Sequence, residues 1–266
     1  MRRAVSLLAL SLGLALAGCA SAQHEPDSAL QYTENAKRAY EEALEAYFDR
    51  DWEEATALLQ DVRRKYGYSR YARLAELRLA DADLHQEKFG EAIAGYKAFV
   101  HDYPNDPEVP YARYKIAKAL FDESSQSLLL PPLEERDLAA VNDAYSSIRS
   151  FLADYPGYKH ARELEYMLEV VTGLLVRHEL YVARFYLERD NFKAAVARIQ
   201  YALRNFEDSG LEAEAMVLLG ETYLKLKQRS KARDVFRHVL AKYPDSPFTR
   251  PARRFLAQLG EQPAGS

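Results

Sequence analysis

The chain has 266 residues, with 36 Lys or Arg against 40 Asp or Glu, for a formal net charge of −4. That sign argues against nucleic acid as the main partner, since a phosphate backbone is held by clustered cations. The single cysteine, Cys19, excludes an intramolecular disulfide.

At the start, Arg2 and Arg3 precede the apolar run Ala4–Ala17, broken only by Ser6, Ser11 and Gly13. A run of 14 residues fits a signal-peptide core. It is shorter than the roughly 20 residues a membrane-spanning helix needs. The run closes on Leu16-Ala17-Gly18-Cys19, with small side chains for a peptidase to grip and a thiol to take a diacylglycerol. The sequence therefore predicts a signal peptide over 1–18 and lipidation of Cys19 by diacylglycerol and an N-acyl chain, with no other cofactor. Ala20 stands where an Asp would favour inner-membrane retention, which points to the outer membrane. Residues 19–30, including the polar stretch Gln23–Ser28, read as a tether.

The body is repetitive. An aromatic followed by a turn recurs at Tyr66, Tyr103, Tyr155, Phe206 and Tyr243. Eleven residues before each stands an alanine: Ala55, Ala92, Ala144, Ala195 and Ala232. Seven before stand Leu59, Tyr96, Ile148, Ile199 and Phe236, and four before stand Val62, Phe99, Phe151, Ala202 and Val239. Offsets of three, four and seven mark one helical face, and the small residue lets two helices approach closely. A further helical pattern precedes each block, over Thr33–Phe48, Tyr71–His85, Tyr111–Phe121, Ala161–Glu188 and Leu211–Lys227. The predicted fold is all-α, an α-solenoid of five tetratricopeptide-like helix pairs with a short capping helix at Pro251–Leu259.

The turn aromatics are spaced 37, 52, 51 and 37 residues apart. The first excess falls in 122–136, a Ser- and Pro-bearing stretch read as an inserted loop. The second falls inside the helix from Ala161 and adds about four turns, which leaves its facing side unchanged. The expected organisation is repeats one to three over 31–121, the loop over 122–136, the remaining repeats with a long linking helix over 137–260, and a disordered tail at 261–266.

Catalytic patterns are missing: no P-loop, GxGxxG, GxSxG or HExxH occurs, and the six histidines lack metal-ligand spacing. Adjacent carboxylates such as Glu53-Glu54 diverge around a helix. The expectation is a non-enzyme with neither a catalytic nor a metal site. Two surfaces remain for partners. Gln23–Gln60 is acidic and Lys225–Arg254 basic, so Arg233 and Arg237 are candidates for docking an acidic surface or anionic headgroups. Tyr40, Tyr47, Tyr71, Tyr111 and Tyr114 fall on first helices, where an extended peptide could stack; tyrosines are also ordinary core residues of such repeats.

The lipidation site, five repeats, a proline-bearing insertion after the third helix pair and a long fourth first-helix together resemble the BamD family, also called ComL or YfiO. The most specific stretch is Tyr186-Leu-Glu-Arg189-Asp-Asn-Phe192-Lys-Ala-Ala-Val-Ala-Arg198, similar to the family's Tyr-x-Glu-Arg…Arg segment. The fourth turn departs from it, reading Phe206-Glu-Asp-Ser where Tyr-Pro is usual. The resemblance implies a lipid-anchored scaffold at the periplasmic face of the outer membrane. Its implied partners are the BamA-type barrel subunit, other assembly lipoproteins and unfolded outer-membrane protein precursors. It places Tyr186, Arg189 and Arg198 in the partner-contacting region. The other expectation is a different envelope repeat lipoprotein, such as a Tol-Pal or cell-wall coordination factor.

Overall fold

The structure, a computed structural model, describes residues 28–125 and 138–260. The expected signal peptide, Cys19, most of the expected tether, residues 126–137 of the insertion and the 261–266 tail lie outside the described residues. Those described form eleven helices and no strand: α1 (Ala29–Phe48), α2 (Trp52–Lys65), α3 (Arg70–His85), α4 (Phe89–Asp102), α5 (Val109–Ser125), α6 (Ala139–Asp154), α7 (Ala161–Glu188), α8 (Phe192–Asn205), α9 (Glu212–Lys225), α10 (Arg229–Lys242) and α11 (Thr249–Gln258).

The repeat register carries the packing. All five register alanines have no solvent exposure, and the residues four and seven before each turn are at most 1% exposed. Every second helix ends at its turn aromatic, whose backbone N–H donates to the carbonyl four residues back. First and second helices are joined by a turn that also repeats. Arg50, Glu87, Asp190 and Lys227 each sit at φ near +60°. The next residue's N–H donates to a carbonyl five back, as in Asp51 to Ala46 at 3.0 Å and Asn191 to Tyr186 at 2.9 Å. This is the Schellman closure of a helix end, which needs one left-handed residue. In the third pair the corresponding place falls within residues 126–137, outside the described residues.

Here the structure moves two boundaries. α5 runs on to Ser125, with the Ser124 and Ser125 hydroxyls donating to the Phe121 carbonyl at 2.7 and 2.9 Å. The serine run read as loop thus begins as helix. The insertion lies within the third pair, between α5 and α6, and not after it. A boundary at 121 divides one packed unit: Arg113 of α5 reaches Ser150 and Asp154 of α6 at 3.1 and 2.7 Å.

α7 is 28 residues long and is buried nearly all round its middle, at Val171, Thr172, Gly173, Leu175 and Val176. One apolar core runs from Leu77 on α3 to Leu256 on α11. The first pair packs through two smaller clusters, around Tyr40 and Leu59 and around Tyr47 and Ala55.

Candidate protein-docking surfaces

The expected tyrosine groove is largely a wall. Asp81 follows Leu77 by one turn on the core stripe of α3 and has no exposure. Its Oδ1 accepts from the Tyr96 hydroxyl at 2.5 Å and the Tyr111 hydroxyl at 2.7 Å. Arg78 pairs with Oδ2 at 2.5 Å, and the Lys115 Nζ lies 3.6 Å from Oδ1. Burial, then the Asp81 charge, pushes the Tyr96 and Tyr111 hydroxyls far above their ordinary range, which keeps both as donors. Tyr47 is pushed up to about 12 by burial, and Tyr40 is raised by burial as well, with Arg78 opposing both.

Tyr40, Tyr47 and Tyr114 are buried, which corrects their placement on an open groove. Their rings pack across helices instead. Tyr40 tilts against Tyr71 at 5.8 Å, and Tyr47 meets Trp52 edge-on at 5.4 Å. Tyr114 stacks on His160 at 4.9 Å and donates to Glu163 at 2.7 Å. Tyr71 and Tyr111 keep part of their surface in solvent. Glu163 also accepts from Lys118 at 2.8 Å. Burial alone would raise the Glu163 carboxyl, but the bonds from Lys118 and Tyr114 outweigh it and hold it below the usual range. The sequence offered one signal for Asp81: an acidic residue in step with the buried positions of α3.

The second surface lies on α7 and α8. Tyr186 is half-buried against the core, and its carbonyl closes the turn, so this part of the motif is structural. Arg189 is exposed; its guanidinium lies 3.5 Å from the Phe185 ring centroid and donates to the Phe185 carbonyl at 3.2 Å. Arg198 is half-exposed and pairs with Glu179, a carboxylate sunk between α7 and α8, at 3.3 Å. The same two helices carry large exposed side chains that periodicity did not single out: Tyr181 and Phe185 towards the end of α7, Tyr166 near its start, and Tyr201 on α8. Arg184 joins them, bound to Glu214 of α9 at 2.5 Å. Aromatic and arginine side chains on a rigid helical support are the composition of protein-interface hot spots.

Arg233 and Arg237 separate. Arg233 is half-buried and donates to the Leu259 carbonyl at 3.4 Å, so it fastens the end of α11. Charge reversal there would unseat the cap before it tested docking, because the guanidinium is part of the packing. Arg237 is exposed.

Among the described residues no group of three His, Cys, Asp or Glu could hold a metal ion, and no helix is long and apolar enough to cross a membrane. The YfiO family model, described as outer membrane lipoprotein, matches residues 33–235. The outer membrane protein assembly factor BamD of Neisseria meningitidis serogroup A is 28% identical, over 91% of this chain and 92% of its own. BamD of Caulobacter vibrioides is 25% identical, over 99% and 84%. Among solved structures, a tetratricopeptide-repeat protein of Thermus thermophilus overlays with a TM-score of 0.38 at 17% identity, covering 85% of this chain and all of that one. That overlay carries no weight beside the chain's own repeat geometry. With a match across most of the helical body, the chain belongs to the YfiO family.

Proposed function

We propose that the chain is a non-enzymatic scaffold of outer-membrane β-barrel assembly, held at the periplasmic face by lipid on Cys19. It docks a BamA-type barrel subunit through α7 and α8 and takes part in handling unfolded barrel precursors, for which the buried tyrosines of the N-terminal first helices offer no open groove. The observation that carries the reading is the set of exposed groups on α7 and α8: Arg189 over Phe185 at the end of α7, and Arg198 of α8, paired with Glu179. Two arginines on a supported helix pair suit an acidic partner surface, and the rings supply contact area at low entropic cost.

Arg198 also neutralises Glu179, so a single substitution confounds docking with folding: it leaves a sunken carboxylate uncompensated. The test is the double variant Arg198→Gln with Glu179→Gln, which removes both charges and keeps a hydrogen-bonding pair. Affinity purification from detergent-solubilised membranes should then recover less barrel subunit while the melting temperature holds. Full recovery of the subunit with the double variant would contradict docking through Arg198.

A further inference from the structure

The last helix carries a charge pattern that the docking reading does not use. α11 faces inward with Ala252, Leu256 and Phe255; Phe255 stacks on Phe236 of α10 at 5.0 Å and 11°. Its far end is tied by Arg233 to the Leu259 carbonyl. Arg250, Arg253 and Arg254 are all exposed, and spacings of three and four residues put them on one outward face. α11 contains no acidic residue. Among the described residues, neither Arg250 nor Arg253 has a carboxylate within ion-pair distance. Residues 236–260 hold five Lys or Arg against one Asp, in a chain whose net charge is −4. They also lie beyond the stretch that the family model matches.

We propose that the arginine face of α11 rests on the anionic phospholipid headgroups of a membrane. Charge complementarity decides the occupant. Protein-interface hot spots set their arginines beside aromatic anchors in well-packed pockets, as Arg189 stands over Phe185. The outward face of α11 instead offers three arginines, Ala257 and Gln258, with no large exposed apolar side chain. Guanidinium groups match phosphate geometry, and several basic residues side by side are the usual signature of attraction to anionic lipid. The clamp at Leu259 and the Phe236–Phe255 stack hold the face outward, so binding has little ordering cost. The face would orient the C-terminal end of the solenoid on the bilayer, independently of which protein α7 and α8 dock.

The test uses the full chain with Cys19→Ser, to prevent acylation, and Gln258→Cys as the attachment point for a fluorophore beside the arginines. Vesicles of phosphatidylcholine, alone or mixed with phosphatidylglycerol, carry a headgroup spin label that quenches on contact. The N-terminal segment, with Arg2 and Arg3 before its apolar run, is the same in every α11 variant and cancels when the variants are compared on the mixed vesicles. Quenching is expected on the mixed vesicles and should fade as salt screens the charges. Changing all three arginines to Gln should weaken it on the order of a hundredfold, at about fivefold per arginine, while changing all three to Lys should preserve most of it. An unchanged melting temperature confirms that the variants fold. Equal quenching on both vesicle types, or quenching untouched by the Gln variant, overturns the proposal. So does an absence of quenching on the mixed vesicles, which would leave an acidic protein as the reader of this face.

Discussion

Helix pairs two and five share one frame, from the alanine eleven residues before the turn to the tyrosine-proline at it, and fill it with opposite chemistry. In pair two the register residue is Tyr96, whose hydroxyl is bonded to the buried Asp81. In pair five it is Phe236, whose ring lies where a Cβ on Gly220 would stand, 2.4 Å from Cε1. Ala80 holds in α3 the register place that Gly220 holds in α9. One joint is polar and satisfied by charge; the other is closed by shape alone. A repeat frame therefore dictates spacing and leaves open how each joint is sealed. The polar joint ties α3 to both α4 and α5, while the apolar one seats the cap that presents the α11 arginines.

Four substitutions sharpen this contrast. Asp81→Ala should have the largest effect. It orphans the buried Tyr96 hydroxyl, takes the acceptor from Tyr111 and leaves Arg78 and Lys115 without their shared carboxylate, at a cost of about 3–5 kcal/mol in urea unfolding. Asp81→Asn should cost less, since an amide still accepts from Tyr111. In the other joint, Gly220→Ala drives a methyl into a fully buried ring and should cost about 1–3 kcal/mol. Phe236→Leu in the same chain should return part of that loss. Additive losses from the two would show that the glycine and the ring do not share one space.

The long helix gives the opposite sign. A Cβ at Gly173 meets nothing within 4 Å, although the residue is buried. Gly173→Ala should therefore stabilise by about 0.5–1 kcal/mol, read as a higher melting temperature. The smallest effect is a pH dependence between α5 and α7. Glu163 is held below its usual range, so its bonds to Lys118 and Tyr114 stabilise the fold above the unfolded glutamate value of about 4.3. That contribution is lost as pH falls through the lowered folded-state value. The gap in melting temperature between the native chain and Glu163→Gln should be open at neutral pH and close in acid. A gap independent of pH would assign the Glu163 effect to packing.

The frame was legible because it is periodic. Five aligned alanines place the second helices, and the 28-residue extent of α7 follows from a spacing excess that fits whole turns. Two kinds of feature escaped. The Schellman turns use Arg50, Glu87, Asp190 and Lys227 at positive φ, where glycine or asparagine is the usual marker, so composition hides them. The tyrosines divide into wall and surface by contacts between helices far apart in sequence, such as Tyr111 with Asp81 and Tyr114 with Glu163. No periodicity within a single helix carries that information. Arg233 shows the same limit: its charge was visible, and its task of fastening Leu259 was not.

The account turns on docking through α7 and α8, and an exposed position far along the chain serves as the control. A photo-crosslinking amino acid at Phe185, exposed beside Arg189, is compared with one at Tyr68, which stands 98% exposed at the first turn. In intact cells the adduct with a BamA-type barrel subunit should form from position 185 and not from 68. Adducts from 68 alone, with both variants folded, would contradict the docking surface assigned to α7 and α8.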